Sequence, residues 1–144
     1  MIDKEHIDVI GTALSIAGFI AVIIQLVKVD HSLKCTARGN IYDMASRIKE
    51  VFLNKPHLRP YFFDGEEISS AHPHYNEALS VADYYCLYLE QITTQKDNID
   101  DSERRSWLKY AHDIYHGSPI IQMYLKDKED WYSHKFWDVI NGNF

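Results

Sequence analysis

The stretch VIGTALSIAGFIAVIIQLV, Val9 to Val27, holds no charged side chain over 19 residues. Wound as an α-helix it reaches about 28 Å, close to the hydrocarbon thickness of a bilayer. A cleaved signal peptide would need a basic start, a shorter apolar core and a small-residue cleavage site. Here the start is acidic (Asp3, Glu5, Asp8), and the run is long and closes on Lys28-Val29-Asp30. The stretch therefore reads as a retained transmembrane helix. Residues 1–30 form the span with its flanks, and residues 31–144 form a separate helical domain.

Only Lys4 precedes the span, whereas Lys28, Lys34, Arg38 and Arg47 follow it. Basic residues stay on the cytoplasmic side, so the C-terminal domain is expected in the cytoplasm. The two cysteines, Cys35 and Cys86, make no disulfide framework and fit a reducing compartment as free thiols. The chain carries 21 acidic and 15 basic side chains, a formal net charge of -6. That balance argues against a domain with an overall basic field for nucleic acid, so RNA contact would need a local patch.

Within the span, Ala13, Ala17, Ala21 and Gln25 recur every fourth residue, and Gly11, Ser15 and Gly18 add further small positions. Small residues at i, i+4 let helices approach closely in lipid. Gln25 is a polar group that gains by pairing across helices or by facing water. These residues are the expected oligomerisation or pore face; an ordinary anchor with background alanine is the plainer alternative.

The domain that follows reads as all-α, a bundle of four to five helices. Ile41, Met44, Ala45, Ile48, Val51 and Phe52 keep helical spacing up to Asn54-Lys55-Pro56, where proline forbids continuation. That helix starts near His31, with continuity into the span left open. His57 to Gly65 (HLRPYFFDG) reads as an aromatic-rich loop. A second helix is expected over Pro73 to Thr94. A third starts at an Asp101 or Ser102 cap and runs to about His116, and Gly117 ends it. Ser118-Pro119 opens a short helix and Ser133 caps a last one. No strand-like alternation and no internal repeat is present.

Arg105 and His112, in RSWLKYAH, stand seven residues apart and share one helix face. Imidazole titrates near neutrality and guanidinium grips phosphate in a bidentate manner, so the pattern could serve acid–base chemistry beside a phosphate. It is equally the pattern of a surface arginine and a packed histidine. Arg59 and Tyr61, in Leu58-Arg59-Pro60-Tyr61-Phe62, read either as a structural corner or as an interaction site in which Arg59 stacks on aromatics or meets a carboxylate. His112 and His116, with His72 and His74 available, are weak metal candidates. No metal is expected, because no third ligand has strong spacing, and no cofactor, because no nucleotide-binding glycine loop is present.

The Arg-x6-His pattern resembles the Arg-x(4–6)-His motif of HEPN domains. With the N-terminal span and the aromatic-rich helical domain, the chain resembles the small membrane-anchored, HEPN-like accessory protein of type VI-B CRISPR systems, the partner of an RNA-guided RNA nuclease. Many active HEPN members carry Asn, His or Asp directly after the arginine; here Ser106 stands there, followed by the bulky Trp107. The resemblance implies antiviral defence at the bacterial inner membrane, with Arg105 and His112 as HEPN-like site residues, catalytic or not. It further implies self-assembly into a ring of six or more subunits whose spans enclose a pore. A ring of about eight helices, each about 10 Å wide, would leave a lumen on the order of 15 Å. A membrane-tethered ribonuclease and a recruitment module without pore or catalysis are the competing expectations.

Overall fold

The computed structural model describes the backbone of residues 4–144 and the side chains of residues 11–144. Asp3 lies outside the described residues, as do the side chains of Lys4, Glu5, Asp8 and Val9, which entered the reading of the span. Every element is helical, with no strand among the described residues. The chain divides into two compact units, residues 1–36 and 37–144.

Helix α1, Lys4–Asn54, starts in the first unit and contributes its residues from Ala37 onward to the second. The expected stop at Asn54 is observed, and the segment from His31 is part of the same helix. Among the described residues of the first unit the apolar side chains are left open: Leu14 is 69% exposed and Phe19 68%. A core helix of a water-soluble protein buries one face, and monomers rarely leave so long an apolar surface open. The helix is long and apolar enough to cross a membrane. The Ser15 hydroxyl would suit such a crossing, since its Oγ donates to the Gly11 carbonyl at 2.9 Å.

The second unit is built round α3, Tyr75–Thr94, which packs on α4 (Asp101–Gly117), α5 (Pro119–Leu125) and α6 (His134–Ile140). Ala78, Ala82, Tyr85, Cys86, Leu89 and Ile92 form the buried stripe of α3. Ile41, Ile48 and Phe52 of α1 join the same core. The boundaries have local causes. Helix α4 follows Asp100, one residue before the expected cap, and holds Asp101 and Glu103 in its first turn, where carboxylates suit the dipole. Ser133 Oγ accepts the Phe136 N–H at 3.2 Å and caps α6 as expected. Ser118 precedes Pro119 at the start of α5, but its buried hydroxyl donates to the Tyr61 carbonyl at 3.2 Å instead of capping the helix.

The HLRPYFFDG segment is not a loop throughout. A 3-10 turn, Pro56–Leu58, leads into the short helix α2, Arg59–Phe63. Proline fixes φ near -65° and needs no N–H partner, so it suits a first helical turn. Pro56 and Pro60 each stand there, and the burial of Leu58 and Phe62 supplies what so short a helix lacks.

Lys55 Nζ lies 2.6 Å from Glu77 Oε1 and His57 Nε2 lies 3.0 Å from Oε2, which ties the turn after α1 to the first turn of α3. These donors, Lys55 foremost, lower the Glu77 carboxyl from 4.5 to about 2. A carboxyl depressed in the folded state adds stability that is complete above its unfolded value and is lost as pH falls through its folded one. Acid unfolding of the full chain is therefore expected to lose this contribution between about pH 4.5 and about 2. Glu77→Gln should flatten that part of the curve, and an unchanged acid slope in the variant would refute the assignment.

Candidate functional site

Ala13, Ala17, Ala21 and Gln25 are exposed on α1, where the four-residue spacing places them along one narrow strip. The Gln25 side chain makes no hydrogen bond among the described residues, so its amide donors and acceptor are free for another molecule. In hydrocarbon an unpaired amide costs several kcal/mol, about 4–8 by transfer to an alkane. A second helix or water would remove that cost.

On α4, Arg105 is exposed and its side chain makes no hydrogen bond or ion pair among the described residues. The neighbouring Arg104 is committed to structure: its guanidinium donates to the carbonyls of Lys96 at 2.7 Å and Ile99 at 3.2 Å and meets Asp101 at 2.8 Å. His112 is half-buried. Its Nδ1 lies 3.4 Å from Asp113 Oδ1, and its ring stands 4.3 Å from that of His116 and 5.9 Å from that of Phe144. The Gly142 backbone, at φ +84°, runs beside the same ring. His116 Nε2 donates to the Ile140 carbonyl at 3.0 Å. The two weak metal candidates His112 and His116 thus lie against the end of α6 and the residues after it.

Arg105 and His112 are two turns apart, roughly 10 Å along the axis. Helical side chains lean toward the N-terminus, so both lean the same way and keep that separation. The two side chains make no hydrogen bond to each other among the described residues.

Arg59 is exposed with its guanidinium 5.0 Å from the Phe63 ring centroid, a cation–π stack, and it makes no ion pair among the described residues. It borders a cleft of about 570 Å³ whose walls are aromatic and aliphatic, including Tyr42, Phe52, Tyr88, Trp107 and Tyr110, with Lys49 as a second cation. At the cleft wall, the Tyr85 and Tyr110 hydroxyls hydrogen-bond at 2.5 Å. Tyr61 is half-buried; its carbonyl holds Ser118 and its ring meets His72 edge-on at 6.0 Å.

Comparison with protein-family models, with curated proteins and with solved structures returns no match. Function must therefore be argued from the geometry. The cysteines differ: Cys35 is exposed with Sγ 3.6 Å from His31 Nε2, whereas burial pushes the Cys86 thiol up and leaves it inert. The aromatic cleft escaped the sequence reading, because Trp107 and Tyr110 of α4 meet Tyr42 and Phe52 of α1 only in the folded unit.

Proposed function

We propose that the chain is an oligomeric membrane pore or permeability effector at the bacterial inner membrane, acting in antiphage defence beside an RNA-guided RNA nuclease. The observation that carries the reading is the first unit: an apolar helix, exposed on all sides, with one strip of small residues ending in an unpaired Gln25. A single helix encloses no water, so permeability requires a ring of copies, and small residues are what lets helices pack in lipid. The defence context and the HEPN likeness of the helical unit rest on the resemblance carried by Arg105, His112 and the span. The mass of the detergent-solubilised particle tests the reading. Six or more chains are expected, together with loss of membrane potential in infected cells that carry the active partner nuclease. A monomer, or an unchanged potential, removes the pore.

A ribonuclease reading is the first alternative. The two-turn separation of Arg105 from His112 and the packing of Gly142 and Phe144 beside the His112 ring weigh against it. Purified full-length chain is expected to leave single-stranded RNA intact at stoichiometric concentration, and His112→Ala to change nothing in that assay. Cleavage that His112→Ala abolishes would establish the ribonuclease instead.

The aromatic cleft with Arg59 and Lys49 favours a second alternative, in which the chain recruits a cytoplasmic partner through an apolar, acidic segment. Replacing the span by an unrelated apolar helix separates the two: recruitment survives the exchange, and the pore does not.

A further inference from the structure

His57 stands on the 3-10 turn after α1, His74 immediately precedes α3, and Glu77 lies in the first turn of α3. Their ligand atoms all come within 4.8 Å of one another. His57 Nε2 lies 3.0 Å and His74 Nδ1 3.2 Å from the same carboxylate oxygen, Glu77 Oε2. The other oxygen, Oε1, is held by Lys55 Nζ at 2.6 Å. We propose that His57, His74 and Glu77 form a binding site for one divalent transition ion of the zinc class.

The geometry is close to what such an ion requires. Zinc takes nitrogen and carboxylate oxygen at about 2.0–2.2 Å in tetrahedral array, which sets neighbouring ligand atoms about 3.3 Å apart. The two histidine-to-carboxylate spacings fall within about 0.3 Å of that edge. The third edge, between the two ring nitrogens, closes by small rotations. Both imidazoles have room to turn, with side chains 42% and 45% exposed. Two imidazoles and one carboxylate select zinc, copper, nickel or cobalt over magnesium and calcium, which prefer all-oxygen shells.

The surroundings supply orientation. Lys55 fixes Oε1 and so presents Oε2 as a single-oxygen ligand, the part that outer-shell partners of metal-bound carboxylates play. The His74 backbone N–H donates to His72 Nδ1 at 3.2 Å and holds a further imidazole next to the group. The fourth position faces solvent and takes water. The Lys55 charge opposes that of the ion, which sets the site for reversible occupancy. Bound metal would fasten the turn that ends α1 to the start of α3, and by mass action it would raise the stability of residues 37–144.

The probe is the metal alone, added to untagged full-length chain in detergent. Equilibrium dialysis against zinc is expected to retain about one ion per chain. Cobalt(II) in its place should give the visible absorption of a tetrahedral site with nitrogen and oxygen ligands. His57→Ala, His74→Ala and Glu77→Gln should each weaken binding by at least about tenfold, with unchanged helical circular dichroism. The double variant His112→Ala with His116→Ala should bind as the parent does. Absence of retained zinc, retention undiminished in all three single variants, or loss confined to the double variant would each overturn the proposal.

Discussion

On the proposed pore reading, replacing Ala13, Ala17 and Ala21 together by leucine is expected to reduce the solubilised particle from a ring of six or more chains to monomers or dimers and to abolish permeability. Lipid tails are as apolar as leucine, so spans do not associate by escaping solvent; close backbone approach and interhelical hydrogen bonds hold them together. A strip that repeats every four residues follows the i±4n ridge of the helix and suits a partner helix crossing at an angle. Leucine on that ridge forces the backbones apart and removes the contact that brings Gln25 within reach of its copy. Overpacking costs about 1–3 kcal/mol at each site, and three sites per interface lower the association constant by about a hundredfold or more. The substitutions raise the hydrophobicity of the span, so insertion is retained. Phe19 lies nearly opposite the strip, and Phe19→Ala should leave the particle mass unchanged. A ring that survives the triple leucine variant would show that this face is not the interface.

The long apolar helix was legible because the rule for crossing a membrane is simple, an unbroken apolar run of sufficient length, which Val9 to Val27 satisfies. The helix ends were legible for a comparable reason. Asn54-Lys55-Pro56, Gly117 and Ser133 each act through a backbone preference that belongs to one or two residues, and α1, α4 and α6 begin or end beside them. What escaped depended on distant partners. HLRPYFFDG was read as a loop, yet Pro60 stands in the first turn of α2, and the difference is made by Phe62, which packs 5.1 Å from Phe52 and stacks 5.9 Å from Tyr85. Ser118 had the position of a cap, but the Tyr61 carbonyl claims its hydroxyl across 57 residues of sequence.

The candidate sites divide in the same way. His74 and Glu77 are three apart and visible as a pair in the sequence, whereas His57 reaches them only because the turn after α1 folds against α3. Arg105 and His112 were legible as a motif. The segment lying over His112, through Gly142 and Phe144, was not, since nothing in its composition marks where it returns.

Phe62→Ala separates the structural reading of the Leu-Arg-Pro-Tyr-Phe stretch from the interaction reading. Phe62 is 1% exposed and its ring contacts Phe52 and Tyr85. Truncating such a ring costs about 3–5 kcal/mol, a large part of the roughly 5–15 kcal/mol that holds a domain folded. The midpoint of thermal unfolding should fall by more than roughly 10 °C. Trp107, Trp131 and Trp137 all belong to residues 37–144, so intrinsic fluorescence of the full chain reports on this unit without interference from the span. Arg59→Ala supplies the contrast. Its exposed guanidinium loses a single stack on Phe63, worth about 0.5–1 kcal/mol at such a site, so the midpoint should move by only a few degrees. A large shift from Phe62→Ala beside a small one from Arg59→Ala makes the buried half of the stretch the anchor of α2 and leaves Arg59 free for a partner. Equal shifts would mean that the guanidinium belongs to the fold, and the recruitment alternative would then lose its principal charge.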